Sequence, residues 1–271
     1  MKIDMEKAKE EFIKYTGKFN LQDENIDRKQ QHSLRVMKIS NQLAKELELN
    51  EEQIQLATLI GLLHDIGRFK QYTEIGLGDN IEGFDHGDYG AKVLFEEGII
   101  RKFIDTNEYD EIIRKAIKNH NKFSIESGLT QEEMMFAKLI RDADKIDILY
   151  ESVYIFYKNN EDMVNKSILS EKIYNEFMKK SSIKKEKNSL ALKKKQLDKK
   201  SEEFKIISQN DIVCVLALIF DINYKPSFEI LKKENYIFEI LNRYNFDDEL
   251  TKKRVKSIEL ITNEYIDTKI K

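Results

Sequence analysis

A single proline, Pro226, in 271 residues constrains this chain more than any other feature. Sandwiches and barrels of β-strands need frequent chain reversals. One proline and ten glycines supply few of the residues that make them. Long helices need none. Apolar residues recur at spacings of three and four along almost every segment, which is the period of a helix with one buried face. The expected class is all-α.

The periodicity places the elements. Residues 4–18 read as a short amphipathic helix with Phe12 and Tyr15 inward. Asn25 or Asp27 can cap a longer helix running to about Leu49, on which His32, Val36, Ile39, Leu43 and Leu47 share the buried face. Residues 51–66 form the next helix, with His64 and Asp65 in its last turn and Gly67 as its stop. Residues 70–84 read as irregular. Asp85 can cap a helix through Glu97, with His86 in its first turn. Residues 107–120 carry an apolar stripe that ends on His120. In a helix from Gln131 to Tyr157, Ala137, Ile140, Asp144 and Ile148 share one face, so Asp144 points into the core while Asp142 and Lys145 point elsewhere.

Histidine usage is as uneven as proline usage. The chain has four histidines, His32, His64, His86 and His120, and none follows residue 120. Each alone reads equally well as a core ring bonded to a carbonyl. Together with Asp65 and Asp144 they put several imidazoles and two carboxylates into one helical core. A buried carboxylate is costly unless it is paired or bound to metal. A cation resolves the charge, and six ligands suit two cations better than one. Imidazole with carboxylate accepts iron, manganese or zinc alike.

The order of these residues resembles the signature of the HD superfamily of metal-dependent phosphohydrolases. Leu62-Leu63-His64-Asp65-Ile66-Gly67-Arg68-Phe69 is similar to its His-Asp motif, and Ile140-Arg141-Asp142-Ala143-Asp144-Lys145-Ile146-Asp147 to its closing motif. His86 and His120 resemble the two extra histidines of binuclear members, the HD-GYP proteins included, and the likeness covers about residues 25–155. It implies an HD-domain helical bundle with additional C-terminal helices. It also implies two divalent transition-metal ions (Fe or Mn, with Zn, Ni and Co as further options). His32, His64, Asp65 and Asp144 would hold the first ion. Asp65 would bridge to the second, completed by His86 and His120. The implied activity is hydrolysis of a phosphomonoester or phosphodiester, nucleotide-like or another small phosphate ester, by metal-activated water, with Asp65, Arg68 and Lys145 at the reacting centre. Arg68 stands where HD-GYP members carry a phosphate-contacting lysine, and reads equally as a cation at a helix end. Lys145 either contacts substrate or pairs with Asp142. After His120 the chain reads Asn121-Lys122-Phe123-Ser124-Ile125, with no Gly-Tyr-Pro, which speaks against cyclic di-GMP as substrate. Two alternatives stand beside the hydrolase: a di-iron oxygenase of the same superfamily, and a regulatory or binding module that keeps its metal site.

Other classes are disfavoured by composition. A net charge of -3 gives no general attraction to nucleic acid or membrane. One cysteine, Cys214, excludes an internal disulfide and suits a reducing compartment. The first residues lack the apolar core of a signal peptide. A cytoplasmic protein with a small-molecule partner is expected, and homo-oligomerisation is open. Domain expectations are a metal-dependent hydrolase core with its N-terminal helix in residues 1–158 and a helical extension in 159–271, packing on or beside the core. Lys179 to Lys200 holds ten lysines against two acidic residues, and reads as a solvated helix or mobile segment, or else as an arm for an acidic partner. Gly76, Gly78 and Asp79 mark either a lid over the site or a plain surface loop.

Overall fold

The computed structural model describes residues 3–74, 84–155, 169–181, 210, 212–242, 246 and 248–271. The described residues are helices, turns and irregular chain, with no strand, so the protein is all-α. It divides into two compact units, residues 1–147 and 148–271. The expected boundary at 158/159, the tract holding Gly76, Gly78 and Asp79, and most of the lysine-rich stretch lie outside the described residues.

In the first unit several helices begin at a residue whose side chain bonds a free N–H group. Helix α1 (Met5–Thr16) starts at Asp4, whose side chain accepts from the Lys7 N–H. Helix α2 (Glu24–Glu46) starts at Asp23 rather than at Asn25 or Asp27. Helix α3 (Glu51–Leu63) opens on a reciprocal box, Asn50 bonding the Gln53 N–H while the Gln53 side chain bonds Asn50. Every residue from Gln55 to Leu63 is buried, which marks α3 as the central helix.

Close approach in this unit depends on glycine. A Cβ on Gly61 would lie 2.5 Å from Ser40 Oγ and 3.0 Å from the Val36 carbonyl, so this glycine lets α3 pack against α2. Gly67 is not a helix stop. The chain turns at His64-Asp65 and continues as α4 (Ile66–Glu74), with Gly67 in its first turn and residues 70–74 helical instead of irregular. A Cβ there would sit 2.7 Å from the Gly90 nitrogen, so the residue is small because α4 meets the backbone of α5 (His86–Ala91). Helix α5 starts at Asp85 as expected and continues into a π-helical turn, Lys92–Glu96. Helix α6 (Asp110–Asn119) and helix α7 (Gln131–Tyr154) follow. Helix α7 buries more of its circumference than its spacing predicts: Asp142 and Lys145, expected to face away from the core, are both buried.

The second unit holds α8 (Glu171–Met178), a helical stretch at 212–216 leading into the 3-10 turn Ala217–Asp221, α9 (Lys225–Glu234), α10 (Tyr236–Leu241) and α11 (Glu249–Ile270). Pro226 lies in the first turn of α9, where its missing N–H costs nothing. The core is apolar, with Phe177, Phe220, Tyr265 and Phe228 in successive edge-to-face contacts and Cys214 buried. Among the described residues no helix is long and apolar enough to cross a membrane.

Candidate metal centre

Two of the histidines are placed by the same local device. His64 and His120 each occupy the residue just past a helix, α3 and α6 respectively. Each ring donates its Nδ1–H to the carbonyl three residues back, His64 to Gly61 at 2.9 Å and His120 to Ile117 at 2.7 Å. That bond fixes the tautomer and leaves an Nε2 lone pair facing the core. His86 is the first residue of α5, which abuts the end of α6: a Cβ on Gly87 would lie 2.8 Å from the Ile117 carbonyl. His32 comes from the middle of α2 and donates Nδ1–H to Asp147 of α7 at 2.6 Å.

These placements gather the four rings into a row. Successive centroids lie 5.0 Å apart for His32 and His64, 5.2 Å for His64 and His120, and 4.9 Å for His120 and His86. The Nε2 atoms pair off, with His32 and His64 3.1 Å apart and His86 and His120 3.1 Å apart. Asp65 lies against both pairs. Its Oδ2 is 3.7 Å from the Nε2 of His32 and 3.7 Å from that of His64. Its Oδ1 is 3.7 Å from His86 Nε2 and 3.6 Å from His120 Nε2. Asp144 joins the first pair, its Oδ1 3.2 Å from His32 Nε2 and 3.7 Å from His64 Nε2. All six residues expected as ligands are therefore neighbours, and the ligand atoms of His32, His64 and Asp144, and of His64, Asp65 and His120, fall within 4.8 Å of one another.

Three observations bear on whether such a set fits a metal. Two imidazole nitrogens bound to one ion at about 2.1 Å, 90–109° apart, sit roughly 3.0–3.4 Å from each other; both observed pairs are at 3.1 Å. Asp65 Oδ1 is buried and accepts no hydrogen bond, an uncommon state for a carboxylate oxygen that a cation would satisfy. The basin also attracts positive charge. Burial pulls the His32 pKa down, yet hydrogen bonds to Asp144 and Asp147 more than offset it and push it up to about 9. Burial likewise raises Asp65 and Asp144, and is outweighed: Lys29 and His64 hold Asp65, and His32 and His64 hold Asp144, well below the usual carboxylate range. The residues fit a divalent ion.

Two cations flank Asp65. Lys29 Nζ lies 3.0 Å from Asp65 Oδ2, and Arg68 Nε lies 3.7 Å from Oδ1. Arg68 is buried, donates to Gln71 Oε1 at 3.0 Å and approaches His86 Nε2 at 3.4 Å, so it lies within the cluster rather than on a helix end in solvent. Lys145 is buried too, but its Nζ donates to the Arg141 carbonyl one turn back at 3.2 Å. Arg141 closes the end of α6, bonding the carbonyls of Asn119 at 2.7 Å and Lys122 at 2.8 Å just beside His120.

Three site residues were not anticipated: Lys29, Arg35 and Asp147. Arg35 grips Asp147 with two bonds, Nε to Oδ1 at 2.7 Å and Nη2 to Oδ2 at 2.9 Å. The available signal was spacing. Lys29 and Arg35 stand three residues before and after His32, and Asp147 three after Asp144, each one turn from a ligand on the same helix.

Residues 30–149 match the family described as HD domain. No curated protein and no solved structure matches the chain.

Proposed function

Residues 30–149 of this chain are an HD domain, and from that premise we propose that the protein is a binuclear metal-dependent phosphohydrolase acting on a small phosphate ester. The observation that carries the reading is the division of Asp65. Each of its carboxylate oxygens faces a different histidine pair, whose Nε2 atoms are spaced for one ion. His32, His64 and Asp144 would hold one ion, His86 and His120 the other, and Asp65 both. Bound there, two divalent ions supply an acidified water and neutralise charge on phosphoryl oxygens.

The remaining chemistry belongs to the chain. Arg68, held by Gln71 beside Asp65, brings its guanidinium against His86, where its fork would bind phosphoryl oxygens. Lys29 balances Asp65 from the opposite side. Lys145 turns its ammonium to a carbonyl of its own helix. His64 and His120 keep their protons on Nδ1, bonded to backbone, so their Nε2 atoms stay available as ligands.

The test is metal analysis of protein purified without oxygen, followed by phosphate release from nucleoside monophosphates, cyclic nucleotides and bis(p-nitrophenyl) phosphate with Mn, Co, Ni or Fe. Phosphate release that needs metal, and that Asp65→Asn abolishes, supports the proposal. Oxygen consumption by a di-iron form, without phosphate release from any ester, would replace it with the oxygenase alternative.

A further inference from the structure

We infer that the two cation positions are unequal: the one at His32, His64 and Asp144 binds more tightly, and Asp147, fixed by Arg35, is the positioning residue that makes it so. This inference rests on the two-ion reading above and ranks its halves.

The ranking follows from what lies behind each ring. A carboxylate that accepts an imidazole N–H fixes the ring and raises the donor strength of the far nitrogen more than a neutral carbonyl does. His32 has such a partner in Asp147 at 2.6 Å. Asp147 is itself locked by the two bonds from Arg35, so the ring cannot swing without breaking a bidentate pair. His64 and His120 rest on backbone carbonyls. His86 Nδ1 meets the Asn121 amide at 3.2 Å.

Charge points the same way. The first position has Asp144 in addition to the shared Asp65. Each position also has one cation against Asp65, Lys29 3.0 Å from Oδ2 and Arg68 3.7 Å from Oδ1, so Lys29 offsets part of the advantage that Asp144 gives the first position. Arg68 differs in one respect. Its Nη2 stands 3.4 Å from His86 Nε2, a ligand atom of the second position, and competes with an ion for that lone pair.

The test is calorimetric titration of the metal-stripped full-length protein with Mn²⁺, checked by competition with a chelating dye. Two binding events are expected, with dissociation constants at least about tenfold apart. Asp147→Asn, which keeps the shape but loses the charge, should weaken the tighter event by roughly 10–100-fold and leave the weaker one in place. His86→Ala should delete the weaker event alone. Arg35→Gln, which frees Asp147 to rotate, should weaken the tighter event by less, and serves if Asp147→Asn fails to fold. Two equivalents of equal affinity overturn the ranking while the two-ion reading stands. Uptake of one equivalent or none overturns that reading and the ranking with it. Equal weakening of both events in Asp147→Asn overturns the role given to Asp147.

Discussion

Asp65 concentrates the problem of this site in one side chain. It is buried, lies between Lys29 and Arg68, and faces four imidazoles. Replacing it with asparagine keeps the volume and removes the charge. Lys29 and Arg68 then lose their common counter-ion, and breaking a buried pair from one side typically costs about 3–5 kcal/mol. Asp65→Asn is therefore expected to lose stability in the metal-free protein and to lose both ions together. Metal content after dialysis, read beside the denaturant midpoint, checks this; an Asp65→Asn protein that still holds two equivalents removes the shared role. Five of the residues around this centre are legible because each lies on or at the end of an apolar-periodic helix face where a polar side chain is expensive; His86, in the first turn of its helix, is legible only from the resemblance. Lys29, Arg35 and Asp147 are less so: spacing sets each one turn from a ligand on its own helix, but which group it pairs with on another helix cannot be read from that spacing.

At the scale of elements, the same glycine serves two purposes that a sequence cannot separate. Glycine both ends helices and lets backbones touch. Gly67 was expected to stop a helix, yet it lies inside α4, against Gly90 of α5. The partner glycine lies 23 positions along the chain, and nothing local connects the two. Similarly, Asp23, Asn25 and Asp27 can all cap a helix, and what decides is which one has extended backbone, here Asp23. Helix type and order were readable from period; these contacts were not. Gly67→Ala tests the contact. Its Cβ would meet Gly90 N at 2.7 Å, Gly90 Cα at 2.8 Å and Tyr89 C at 3.1 Å, all backbone atoms that cannot rotate away. Helices α4 and α5 must separate, at an expected cost of roughly 1–3 kcal/mol. His86 leads α5, so the shift should also reduce uptake of an ion at His86 and His120 before that at His32 and His64. A midpoint in urea unchanged from the parent protein would refute the close approach.

Across the whole molecule, the candidate ligands fall on one side of the division. All six lie between residues 32 and 144, within the first compact unit, which ends at residue 147. The second unit is held by its own apolar core, including the aromatic run from Phe177 through Phe220 and Tyr265 to Phe228. A cation that binds only the folded first unit stabilises it by mass action, about 2.7 kcal/mol per site at a hundredfold excess over the dissociation constant. A chain of two units need not unfold in one step, so the gain belongs to the unit that carries the ligands. Hydrogen exchange with Mn²⁺ against EDTA is expected to slow the most protected amides of α3 and α6 by about two powers of ten for each site so occupied, since 1.4 kcal/mol is tenfold and their exchange follows unfolding of the unit. Amides of α9 and α11 should change far less. Equal protection of both units would mean that they unfold as one; no protection in either would mean that the imidazole row binds no ion, and the functional reading would fall with it.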